Sequence, residues 1–144
     1  MEQTLILLKP DAVTKHVCGQ VIKRFDEAGF VIRGCKMMNL SSEILRDHYA
    51  HIADKPFYPS VEEFMRSAPV IALVLEGDNI IATMRDMLGV TDSLQAAPGT
   101  IRAELGSKED GKSKMVNIAH ASDSPEAAEK EIQRFFAEDE LFEY

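Results

Sequence analysis

Apolar residues recur along the chain at two periods, and the switches between them mark the expected elements. Thr4–Leu8 is a short apolar run halted by Lys9-Pro10-Asp11, the pattern of a buried strand that ends in a loop. Val17, Val21, Ile22, Phe25 and Ala28 follow at helical spacing, and Gly29 stands where that helix would stop. Phe30–Met38 reads as a second strand. Ser41 or Ser42 then caps a short helix running through Tyr49. A proline-containing loop over Ala53–Pro59 leads into Ser60-Val61-Glu62-Glu63. This is a capping-box pattern, with Ser60 at the cap and Glu63 reaching back, and it predicts a helix to about Ser67.

Val70–Leu75 is continuous and apolar, as a central strand would be. Asp78 is expected to cap a helix in which Ile81, Met84 and Leu88 share a face, and Gly89 ends it. From Val90 to Lys114 no period persists, and the stretch reads as a long irregular connection. Met115–Ile118 reads as a short strand. Asp123 or Ser124 caps a last helix with Pro125 and Glu126 in its first turn and Ala128, Ile132, Phe135 and Phe136 as its apolar stripe. The acidic tail Glu138–Tyr144 is expected on the surface. This order predicts an α/β (α+β) fold of the ferredoxin-like βαββαβ kind, a four-stranded antiparallel sheet with helices packed on it, in one domain over residues 1–144.

Composition narrows the function classes. A net charge of −8 argues against a general nucleic-acid binder, although it says little about any one cleft. No stretch approaches the roughly 20 apolar residues of a membrane span. Leu5-Ile6-Leu7-Leu8 is also too short for a signal-peptide core. The expectation is therefore a cytoplasmic protein without a membrane partner. Cys18 and Cys35 lack metal-ligand spacing and read as reduced thiols.

The candidate chemistry centres on Asn117-Ile118-Ala119-His120-Ala121-Ser122-Asp123-Ser124, followed by a helix carrying Glu131. A histidine nucleophile needs its imidazole held in one tautomer with one nitrogen free, and a carboxylate further on supplies the acceptor. Glu131 sits on the flank of the apolar stripe, where a carboxylate is costly unless paired. It reads either as a solvated glutamate or as the acceptor for the His120 ring N–H, with Ser122 in the same hydrogen-bond set. Lys9, held behind Pro10, reads as a solvated lysine or as a phosphate ligand. Arg85 and Arg102 could add guanidinium forks to the same phosphates. There is no Gly-x-x-x-x-Gly-Lys-[Ser/Thr] loop and no zinc-like spacing, so a phosphate site must be built from side chains, and a metal would be Mg²⁺ held by substrate. His16, His48 and His51 lack such company and read as structural or surface residues.

Several motifs in order carry a resemblance. They are Lys9-Pro10-Asp11-Ala12-Val13, Lys55-Pro56-Phe57, Ser67-Ala68-Pro69-Val70, Arg85-Asp86-Met87-Leu88-Gly89-Val90-Thr91 and Pro98-Gly99-Thr100-Ile101-Arg102. The segment Asn117–Ser124 adds a close match to the pattern Asn-x-x-His-Gly-Ser-Asp-Ser. Over nearly its whole length the chain resembles the nucleoside diphosphate kinase family. The resemblance implies ping-pong transfer of the γ-phosphoryl of a nucleoside triphosphate to a nucleoside diphosphate through His120, supported by Glu131, Ser122 and Lys9. It implies Lys9, Tyr49, Arg85, Thr91, Arg102 and Asn117 as phosphate or ribose ligands, and Phe57 and Val61 as a sandwich around the base. It also implies Mg²⁺, with Asp123 reaching the metal shell through water, and a homo-oligomer, tetramer or hexamer, built from dimers. A non-enzymatic nucleotide-binding regulatory module of the same fold is the alternative. Two departures stand out. Ala121 replaces the usual glycine, which would strain the backbone at positive φ. The polar stretch Gly106–Lys114 is longer than the family's link and reads as a mobile surface insertion without a catalytic role.

Overall fold

The computed structural model describes residues 1–144. Four strands form one sheet: β1 (Glu2–Leu8), β2 (Val31–Met38), β3 (Val70–Gly77) and β4 (Ala119–Ala121), in the spatial order β2-β3-β1-β4. Every neighbouring pair is antiparallel. The helices are α1 (Pro10–Thr14), α2 (Cys18–Glu27), α3 (Ser42–His48), α4 (Tyr58–Met65), α5 (Ile80–Leu88), α6 (Ile101–Leu105) and α7 (Pro125–Phe135). The expected ferredoxin-like plan is therefore the observed one.

Strand alternation explains the layering. Ile6 and Leu8 of β1 point into a core shared with Val21 and Phe25 of α2 and Ile80, Met84 and Leu88 of α5. Leu5 and Leu7 point the other way, into a core with Leu45 of α3, Met65 of α4 and Ile132 and Phe135 of α7. Both layers bury side chains completely, including Phe25 and Leu45. His120 pairs with Leu7 in the β1–β4 register, so β4 carries it onto the α7 face at the edge of the sheet.

Several boundaries differ from the sequence reading, each for a local reason. The capping box at Ser60 does not form: α4 already starts at Tyr58, because Pro59 is pre-organised for the first turn and leaves Ser60 inside the helix. Glu62 instead accepts hydrogen bonds from Ser42 Oγ (3.0 Å) and the Tyr58 hydroxyl (3.1 Å). Asn79, not Asp78, precedes α5, at φ 53°, a left-handed conformation that asparagine tolerates. The buried face of α5 begins at Ile80, while Ile81 turns toward a cleft. The connection read as a loop after β1 contains α1, with Pro10 in its first turn. The stretch read as irregular contains α6, capped by Thr100 Oγ1 accepting from Ala103 N.

The last strand also shifts. Met115–Ile118 is not a strand; β4 starts at Ala119 and contains the histidine itself. Ile118 interrupts, at φ 79°, with Ala119 N donating to Asn117 O at 3.0 Å across a tight three-residue turn. Ala121 is not among the residues at positive φ, so its methyl group brings no backbone strain. The strain the glycine departure suggested sits three residues earlier, on Ile118.

Candidate active site

A cleft of about 500 Å³ opens between α5, β4 and the loops on either side of α6. Lys9, Tyr49, Arg85, Thr91, Arg102, Asn117, His120, Ser122 and Asp123 all line it. Phe57 and Val61 do not: Phe57 lies at the N-terminus of α4, 54% exposed, and Val61 packs against the core beneath α7. Glu131 is also outside the lining, but it touches two groups that belong to it.

Those contacts define the chemistry. Glu131 Oε1 lies 2.7 Å from His120 Nε2 and accepts from Ser122 Oγ at 2.8 Å. Ser122 is itself pinned to the sheet, since its Oγ accepts from Leu5 N at 3.0 Å. A carboxylate acceptor places the imidazole proton on Nε2 and leaves Nδ1 with its lone pair free. Burial pushes the Glu131 carboxyl up, but the hydrogen bonds from His120 and Ser122, with the charges nearby, outweigh burial and hold it below the ordinary glutamate range. Glu131 is thus a standing negative charge at the back of the ring.

The cations are held with equal economy. Lys9 Nζ donates to Asn117 Oδ1 (2.8 Å) and Met115 O (3.3 Å), which leaves one of its three donors free. Burial first, and the Arg102 charge second, lower its pKa to about 8, opposed by Asp11. Arg102 donates to Asn117 O (3.2 Å), Gly89 O (2.9 Å) and Ala119 O (2.6 Å). It therefore ties α6 to both walls of the cleft and keeps donors to spare. Burial lowers its pKa to about 10, against the pull of Asp123. Arg85 stands exposed on α5 without an ion pair. Asn117 completes the frame by donating through Nδ2 to Thr91 O (2.8 Å) and Lys114 O (3.1 Å). With Lys114 included, four cations face one carboxylate, Asp123, in a protein whose net charge is −8. Such a cleft focuses a positive field on polyanions.

Three features escaped the sequence reading. Gly106–Lys114 is folded rather than loose: Ser107 N donates to Val116 O, Ser93 N to Ser113 O and Lys108 Nζ to Ser93 O, and Lys114 reaches the cleft wall. Asp11 is buried and accepts from Ile118 N at 3.0 Å, bracing the strained turn. His48, read as structural or surface, packs its ring 4.6 Å from that of His120. The signals in the sequence were slight: Lys114 is a lysine three residues before Asn117, and Asp11 stands in the Lys9–Val13 motif without marking its contact to Ile118.

Fold and cleft together have the form of a phosphate-handling protein, with a cationic cleft beside a carboxylate-paired histidine on a ferredoxin-like sheet. The comparisons with known proteins agree. The family model described as nucleoside diphosphate kinase matches residues 2–141. A nucleoside diphosphate kinase from Rhodopirellula baltica is 46% identical over 144 residues, all of this chain and 91% of that one. The Aquifex aeolicus nucleoside diphosphate kinase superposes with a TM-score of 0.89 at 40% identity, covering 98% of this chain and 99% of its own. A halophilic nucleoside diphosphate kinase from Halobacterium salinarum in complex with CDP gives 0.90 at 36% identity, covering 99% of this chain and 92% of its own. The chain belongs to the nucleoside diphosphate kinase family. Its activity is that of a nucleoside-diphosphate kinase, which sets aside the non-enzymatic module.

Proposed function

We propose that the transfer runs in two half-reactions through a phosphohistidine on His120. In the first, the Nδ1 lone pair forms an N–P bond to the γ-phosphorus of a nucleoside triphosphate as the bond to the bridging oxygen breaks, and the diphosphate leaves with that electron pair. In the second, a terminal oxygen of another diphosphate forms the P–O bond and the N–P electrons return to Nδ1. Protons need not move, so the protein supplies position and charge. Glu131 and Ser122 hold the ring and offset the positive charge it gains. Lys9, Arg85 and Arg102 face the oxygens that carry the moving charge, and Asn117, Thr91 and Tyr49 frame the rest of the nucleotide. The observation that carries this reading is the 2.7 Å contact between Glu131 and His120 Nε2 beside a cationic cleft.

Phe57 offers an exposed aromatic face and Val61 an apolar partner at the start of α4, suited to stacking a base without reading its edges. Asp123 is the one carboxylate on the cleft wall, and no cluster of three or more His, Cys, Asp or Glu groups gathers anywhere. That donor set fits Mg²⁺ carried mainly by phosphates, with Asp123 reaching it through water. When bound, Mg²⁺ would neutralise phosphate charge. Nucleoside tri- and diphosphates, the former including ATP, are the inferred partners. Cores on both faces of one sheet support a single domain over residues 1–144. The uncovered Met37, Val90 and Leu94 support assembly into a tetramer or hexamer of dimers. No helix is long and apolar enough to cross a membrane, and both cysteines are free, which supports the cytoplasmic reading.

A half-reaction tests the mechanism. Protein incubated with γ-labelled ATP and Mg²⁺, without acceptor, should take up acid-labile, base-stable label, and a GDP chase should move it to GTP. His120→Ala should bind nucleotide and take no label; label on that variant would sink the role of His120.

A further inference from the structure

The hydrogen bond from His120 Nε2 to Glu131 fixes one point of the ring, not its plane. Rotation about the line from Cβ toward Nε2 keeps that bond while carrying Nδ1 along an arc, and the χ2 torsion of histidine is soft. A nucleophile that must meet phosphorus in line needs a second restraint. The structure supplies one from a different element. His48 is the last residue of α3, 8% exposed, and its ring centroid lies 4.6 Å from that of His120 at an interplanar angle of 81°. An aromatic edge against a face is a favoured and directional arrangement.

His48 is itself held on every side. Phe135 of α7 packs edge-on at 5.2 Å and Tyr49 at 4.9 Å between ring centroids. Arg134 Nη1 donates to His48 Nδ1 at 3.1 Å, and Arg134 is anchored in turn by Asp47 Oδ2 at 2.7 Å. An acceptor at Nδ1 places the His48 proton on Nε2. Burial, then His120, then Arg134 and Lys9 push its pKa down to about 3, with only Glu131 pulling the other way. The ring beside the nucleophile therefore adds no positive charge at working pH.

We propose that His48 is a positioning residue for the transfer reaction: oriented by Arg134, its ring packs edge-to-face on His120 and sets the ring plane that turns Nδ1 into the cleft. The inference rests on His120 as the phosphoryl acceptor. His48 is not among the residues lining the cleft, so nucleotide affinity should not depend on it.

The test separates positioning from folding and from the parent reading. In single-turnover labelling with γ-labelled ATP, His48→Leu should keep its nucleotide Kd within about twofold and lose phosphorylation rate by ~10- to 100-fold, as a misplaced nucleophile does. His48→Phe, which keeps a flat ring, should recover most of that loss. Nitrogen-15 NMR of the unphosphorylated proteins reads the same point without catalysis. The wild-type His120 ring should show one tautomer, and His48→Leu an averaged or broadened signal. A wild-type rate in His48→Leu would overturn the proposal. So would parallel loss of affinity, rate and melting temperature that His48→Phe does not repair, because that marks a structural role only. Should His48→Leu not fold, the rate and spectrum of Arg134→Met, which releases the His48 ring, decide in the same direction. If wild-type protein takes no label at all, the phosphohistidine reading fails, and the NMR comparison still decides whether His48 orients the ring.

Discussion

Lys9 keeps an ammonium group almost out of reach of water, a cost that phosphate oxygens in the cleft would offset. Its pKa of about 8 lies well below the ordinary lysine value of 10.5. Between those two values the unfolded chain binds more protons than the folded one, so the unliganded protein gains stability as pH rises from about 8 toward 10.5. Phosphate oxygens favour the charged form and reverse the preference. Nucleotide binding near pH 8 to about 9 should therefore take up protons, and the calorimetric binding enthalpy should vary with the ionisation enthalpy of the buffer. Lys9→Met should bind more weakly and lose that dependence; a wild-type enthalpy indifferent to buffer would remove Lys9 from contact with the phosphates. Glu131 makes the complementary prediction. Glu131→Gln keeps a hydrogen-bond partner for the ring but removes the charge behind it. Labelling of His120 should slow by tenfold or more, roughly the scale of losing one preorganised electrostatic contact, while the melting temperature stays close to wild type. An unchanged labelling rate would reduce Glu131 to a structural partner.

At the scale of elements, the parts read correctly from sequence are those long enough for periodicity to register. β1, β2, β3 and the buried faces of α2 and α7 each repeat their pattern over several positions. α6 and β4 span five and three residues, too short for either period to show, and both hold the site together. Capping chemistry narrowed two N-caps to Ser41 or Ser42 and Asp123 or Ser124, of which Ser41 and Ser124 serve, but misplaced the start of α4, where Pro59 overrode it. His120 was legible from its neighbours, Lys9 and the arginines as residue types beside turns or element ends, and Glu131 as a carboxylate on the flank of an apolar stripe. His48 was not, because its meeting with His120 is a contact between α3 and β4 that only the packed sheet creates. Nor was the insertion's fold, which depends on backbone partners at Ser93 and Val116. The importance of α6 can be measured at its cap. Thr100 Oγ1 accepts from Ala103 N and donates to Ala97 O, so Thr100→Ala should cost about 1 kcal/mol. Because α6 carries Arg102, which grips the carbonyls of Gly89, Asn117 and Ala119, nucleotide affinity should fall along with stability. A variant that loses stability but binds nucleotide normally would mean that the Arg102 clamp survives without the cap.

The molecule as a whole separates its closure from its chemistry. β4, with His120, forms one edge of the sheet, and β2 forms the other. The tail after α7 lies largely on the surface, as expected, and there it runs along the β2 edge. Phe142 N donates to Arg33 O at 2.8 Å, the Tyr144 hydroxyl donates to Ile32 O, and Phe136 and Leu141 lie over Gly34. That contact requires glycine. A Cβ at position 34 would stand 2.9 Å from a ring carbon of Phe136, 3.0 Å from a Leu141 methyl and 3.2 Å from the backbone oxygen of Glu140. Side chains could yield a little, but a carbonyl yields only if the tail moves. Gly34→Val should therefore lift the tail from β2 and open the core beneath α7, costing roughly 1–3 kcal/mol as overpacking does. Yet two strands, β3 and β1, stand between that edge and His120. The labelling rate and nucleotide Kd, scaled to the folded fraction, should remain those of wild type. Chemical denaturation alongside single-turnover labelling decides the matter. A rate that falls with the tail displaced would show that the two edges of the sheet are coupled, and that the tail takes part in setting the site rather than only closing the core.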